Sequence, residues 1–139
     1  MKMSNILLLV VNTMVSLASA AFAVLAITDP GALLGVDASR TAPVDYYSQM
    51  YAARSIIFSA GVVALLIAAM ASANAVSTRT LGGVLAVAGL IQIADVVIAV
   101  IHDTPGGGGA AVAAAVHIGS AVVLLSPQGR RLHTLVPKR

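Results

Sequence analysis

Four uninterrupted apolar stretches, separated by short polar connections, constrain this chain more than any other feature. They cover residues 6–28, 46–71, 81–102 and 110–126 of the 139-residue sequence. A helix needs about 20 apolar residues to cross a hydrocarbon core of about 30 Å. The stretches are rich in Ala and Leu and lack period-two alternation, which favours spanning helices over barrel strands. Pro127 and Gly129 end the last one. The expected fold is all-α: a single polytopic membrane domain over residues 1–139, with four transmembrane helices in an antiparallel bundle and a cytoplasmic tail at 127–139.

Composition agrees. Only 9% of residues are charged and 59% are apolar, whereas a soluble domain carries about 25% charged residues. The chain has no Cys, so disulfides, thiolate metal sites and a Cys nucleophile are excluded. The formal charge of +3 suits anionic lipid rather than nucleic acid.

The first stretch has the look of a secretory signal, with Lys2 ahead of an apolar run and small residues at Ala18-Ser19-Ala20. It continues through Val24-Leu25-Ala26-Ile27, long enough to span, and is read as a retained helix. Orientation follows from Lys and Arg in short connections. Lys2, Arg79, Arg130, Arg131, Lys138 and Arg139 share one side, while Arg40 is alone on the other with Asp29, Asp37, Asp45 and Asp103. Both termini are therefore expected in the cytoplasm of a bacterial inner membrane. Asp45 is expected to cap the second helix, with Tyr46, Tyr47 and Tyr51 at headgroup depth. The stretch 32–36 is expected at the interface, and the glycine-rich 103–109 segment as a flexible tight connection.

Small residues recur at helical spacing. Gly82, Ala86 and Gly89 form one face of the third helix, and Ala111, Ala115 and Gly119 another on the fourth. Such faces let backbones approach closely in lipid and can join helices within a chain or between copies, so a homo-oligomer is among the expected partners.

Ionisable groups inside membrane helices are costly, and each is a functional hypothesis. Counting 1.5 Å per residue, Arg54, Asp95 and His117 are expected at similar depths, about 10–13 Å from the outer face. Gln92, Asp95, Ala99 and His102 share one face of the third helix; Tyr47, Tyr51, Arg54 and Phe58 share one on the second; His117 and Ser120 align on the fourth. These spacings predict a polar cavity in the outer leaflet above an aliphatic inner half. The plainer alternative is an Arg54–Asp95 ion pair and a hydrogen-bonded His117 that only lock helices together, with Asn12 and Gln92 as interhelical glue.

The pattern Tyr51-Ala52-Ala53-Arg54, Asp95 and His117 resembles a group of small bacterial four-helix membrane proteins, and is faintly similar to the DoxX-like ones. The resemblance implies the four-helix fold and the polar trio, and no reaction.

Three functions follow as expectations. The first is a site for a small lipophilic molecule, either binding it or performing acid–base chemistry of the isomerase, cyclase or hydrolase type. His117 would be the acid or base, Asp95 its orienting partner and Arg54 the stabiliser of an oxyanion, with Tyr47, Tyr51, Gln92, His102 and Ser120 binding the ligand. The second is a proton-coupled carrier, and the third a structural or accessory subunit. No cofactor and no metal are assigned: His102 and His117 differ in expected depth, and Arg54 would repel a cation.

Topology is testable in a chain without native Cys. A Cys at position 134 should resist a membrane-impermeant thiol reagent added to intact cells, and one at 108 should react. Labelling of 134 from outside refutes the orientation.

Overall fold

The computed structural model describes residues 3–31, 42–71, 76–103 and 107–127. It contains four long helices: α1 (Met3–Thr28), α2 (Ala42–Ala71), α3 (Thr78–Ile101) and α4 (Gly107–Leu125). All four are long and apolar enough to cross a membrane. The expectations for Asp37, Arg40, the 32–36 segment, Pro105, Gly106 and the basic tail lie outside the described residues.

The helices begin earlier than the apolar stretches, for local reasons. Ser77 caps α3: its side chain accepts a hydrogen bond from the Thr80 backbone N–H at 3.0 Å, which starts the helix at Thr78. Asp45 is not the cap of α2 but sits in its first turn, where a carboxylate still complements the helix dipole. Glycines 107–109 belong to α4 rather than to a flexible connection. In lipid an unpaired peptide group costs several kcal/mol, which outweighs the about 1 kcal/mol helix penalty of a glycine. At the other end of α3, His102 is the C-cap and Asp103 takes a left-handed conformation, φ 49°.

Two helix pairs are tightly packed, α1 with α2 and α3 with α4. Contact between α1 and α4 is thinner, and between α2 and α3 thinner still. The α3–α4 contact depends on missing side chains. A Cβ at Gly82 would come within 2.8 Å of Leu125, and one at Gly89 within 2.5 Å of Ile118 Cγ1 and 3.1 Å of its backbone N. Gly107 meets Ala99 in the same way, at 3.1 Å. Residue numbers rise on one helix as they fall on the other.

The predicted small face of α3 is thus a packing face. That of α4 is not: Ala111, Ala115 and Gly119 are exposed, and nothing lies within 4 Å of where a Gly119 Cβ would be. The buried face of α4 is Ala113, Ala114, His117, Ala121 and Leu124. Spacing alone makes both faces equally eligible; Ile118, filling the hollow at Gly89, decides between them.

The interior divides lengthwise. One half is an aliphatic cluster of Leu9, Val62, Leu66, Leu81, Leu85, Ala121 and Leu124. The other half carries buried polar side chains. The outward faces, Leu7, Met14, Ile57, Val100 and Ile101 among them, are apolar and exposed, as a lipid-facing surface requires.

Gly89→Leu should destabilise the protein by about 1–3 kcal/mol through overpacking, while Gly119→Leu should leave the melting temperature of the detergent-solubilised monomer close to wild type. Equal losses from the two would contradict the α3–α4 contact described here.

Candidate functional site

At the boundary between the two halves, Asn12 of α1 meets α4. Its side-chain nitrogen donates to Leu8 O one turn back at 2.8 Å and to Ser120 Oγ at 2.7 Å. Both amide hydrogens are then used, so Oδ1 can only accept. His117 Nδ1 lies 2.8 Å from it and must be the donor. The neutral imidazole is thereby held as the Nδ1–H tautomer, and its other nitrogen, Nε2, is left with a lone pair. Asn12 and His117 are both almost completely buried.

His117 lines a cavity of about 20 Å³ together with Ser16, Ser19, Ser59, Gln92 and apolar neighbours. A second cavity, of about 50 Å³, adjoins it. Ser19, Phe58, Ser59, Ile91 and Gln92 line both, and the second adds Ser55, Tyr51 and Arg54. Polar side chains thus follow one another from His117 to Arg54 along the two adjoining cavities. This track runs between the two tight helix pairs, beneath the thin α2–α3 seam.

Several predicted site residues therefore come together. His117, Gln92, Tyr51 and Arg54 line the track, and Ser120 supports it from behind through Asn12. Asp95 lines neither cavity; it is half-buried and within electrostatic reach of Arg54 and Tyr51. His117 Nδ1 faces Asn12 Oδ1. Tyr47 is exposed and stacks edge-to-face on Tyr46, ring centroids 5.4 Å apart. His102 is exposed at the end of α3.

The three ionisable groups are not at one depth. Because α4 starts at Gly107, His117 lies about 15 Å into its helix, whereas Asp95 is about 9 Å from the end of α3. The contact of Gly89 with Ile118 puts His117 level with residues 90–91 of α3, more than a turn below Asp95.

Asn12, Ser16, Ser19, Ser55 and Ser59 join the site in the folded chain without having been expected in it. Their signal was present in the spacing: 12, 16 and 19 on α1, and 51, 55 and 59 on α2, are single helical faces. Small hydroxyls are common in membrane helices because they can bond their own backbone, as Thr13 and Ser19 do here, so the stripe is easily dismissed.

No family model matches this chain, and neither does any curated protein or solved structure.

If Asn12 orients His117, the two should be energetically coupled. His117→Phe and Asn12→Leu should each cost about 1–3 kcal/mol by stranding a buried polar partner. The double variant should cost about 0.5–3 kcal/mol less than their sum. Strict additivity in detergent unfolding titrations would dissolve the link.

Proposed function

We propose that this protein binds the polar end of a small lipophilic molecule in the track between Arg54 and His117, and that His117 Nε2 serves as its acid–base group. The observation that carries the reading is the location of the polar track under the loosest seam of the bundle. Ligand pockets for drug-sized molecules hold about 300–1,000 Å³, and these cavities are far smaller. They suit a headgroup and not a whole lipophile. The apolar body of the molecule then stays in the bilayer, with its head entering sideways between α2 and α3.

In this reading Arg54 anchors an anionic or carbonyl oxygen, Tyr51 and Gln92 orient it, and Asp95 partly offsets the Arg54 charge. Asn12 takes the orienting role at His117. Tyr47 and His102 belong to the rim. The bundle is antiparallel with both termini inside, in a bacterial inner membrane, and copies associate through the outer Ala111, Ala115 and Gly119 face of α4. The carrier alternative needs access from both sides, which the aliphatic half opposes. A purely structural subunit needs only the Asn12 clamp, and leaves the Ser, Gln, Tyr and Arg lining without a purpose.

The test is mass spectrometry of what co-purifies with the protein in nanodiscs. An amphiphile enriched over bulk lipid is expected, and Arg54→Met should reduce it roughly ten- to a hundredfold, since a charge-assisted hydrogen bond is worth about 1.5–3 kcal/mol. His117→Asn keeps an N–H donor for Asn12 but removes the basic nitrogen. It should hold the ligand and lose any conversion of it. A wild-type protein with no enriched molecule, or enrichment indifferent to Arg54, sinks the proposal.

A further inference from the structure

The inner cavity gathers polar side chains from all four helices around a space of about 20 Å³. Ser16 and Ser59 are 2% and 6% exposed and His117 2%. Among the described residues, their hydroxyls, the Gln92 amide and His117 Nε2 form no hydrogen bond within the protein, yet no buried polar atom is sealed off without a partner. Each of these groups therefore opens on the cavity they line. One water needs about 10–15 Å³ of such space and two to four polar partners; the cavity offers about 20 Å³ and four candidate partners.

We propose that this cavity is a buried-water site and the inner end of a one-sided proton path. Through it His117 exchanges its proton with the membrane face at which Tyr51 and Arg54 lie, and not with the opposite face. The inference goes beyond the ligand reading and needs no molecule in the outer cavity.

The path outward is the shared lining of Ser19, Ser59 and Gln92, then Ser55, Tyr51 and Arg54. The path the other way meets Val62, Leu66, Leu81, Leu85, Ala121 and Leu124, which hold no polar side chain. A proton arriving on the water moves to Nε2, leaving neutral water and an imidazolium; it returns by the same route. Asn12 Oδ1 accepts from Nδ1–H in both states, so protonation leaves the helix clamp intact. The titratable groups that face the path are Tyr51 and Arg54 on α2, with Asp95 on α3 within their electrostatic reach. The lining residues of α1 are Ser16 and Ser19, and that of α4 is His117 itself.

The experiment uses the full chain with ¹⁵N-labelled histidine and the substitutions His102→Gln and His133→Gln, inserted in one direction in phosphatidylcholine vesicles. Solid-state NMR should find His117 as the Nδ1–H tautomer at neutral pH, with magnetisation passing from water to its ring. Ser59→Val and Gln92→Leu should each lower that transfer several-fold, and keep the tautomer. Acidifying the Tyr51–Arg54 face alone should convert His117 to imidazolium, and acidifying the opposite face alone should not. Absence of water transfer in the unsubstituted track, transfer unchanged in both variants, or an equal or absent response to the two faces overturns the proposal.

Discussion

The Asn12 amide closes the bundle. Each tight helix pair, α1 with α2 and α3 with α4, joins neighbours in sequence, and the pairs share one aliphatic cluster. In lipid no hydrophobic force drives two such pairs together, because acyl chains are as apolar as leucine. What links them most specifically is a side chain of α1 that binds His117 and Ser120 of α4. With Leu8 O as its third partner, Asn12 has no spare hydrogen and so no alternative orientation. The position of α1 against α4 and the tautomer of His117 are settled by the same amide. A group that in isolation reads as packing glue also decides which imidazole nitrogen is available for chemistry.

This joint role changes how substitutions at His117 can be understood. Phe fills the space but removes the donor to Asn12 along with the ring nitrogens, so it alters packing and the proposed chemistry at once. An amide at the same position separates them, since it preserves the donor and lacks the basic nitrogen. A structural role and a chemical one are therefore not exclusive alternatives at this residue, as they appear when the chain is read along its length only.

Fold and site differ in how much of each the residues reveal. Runs of about 20 apolar residues leave few alternatives, so the number and extents of the helices are legible to within a few residues, and the misses occur where a cap or a glycine run shifts a boundary. Ser77 and Gly107 are such cases. The site is legible in its parts but not in its connections. Arg54, Gln92 and His117 stand out because polar groups are rare in such helices, and they do share a lining. Asp95 stands out equally and lies outside it, although it is within electrostatic reach of Arg54 and Tyr51. Which of several polar groups meets His117 depends on helix rotation and pairing, and a pattern with one charge per helix does not encode either.

The same limit explains the glycines, and through them the cleft. Gly82 and Gly89 let α3 approach α4 closely enough for Ile118 and Leu125 to fill the spaces where their side chains would be. A helix drawn that far toward one neighbour leaves less of itself to pack on the other, and α3 makes little contact with α2. The residues that face the resulting gap are Gln92 and Ile91 from α3, against Tyr51, Arg54, Ser55 and Ser59 from α2. Had the small residues lain on the α2 side of α3, the polar lining would be buried in a tight contact with no cavity to open on. Glycine placement on α3 and hydroxyl placement on α2 are thus two halves of one arrangement: the first creates the seam, and the second makes its lining polar.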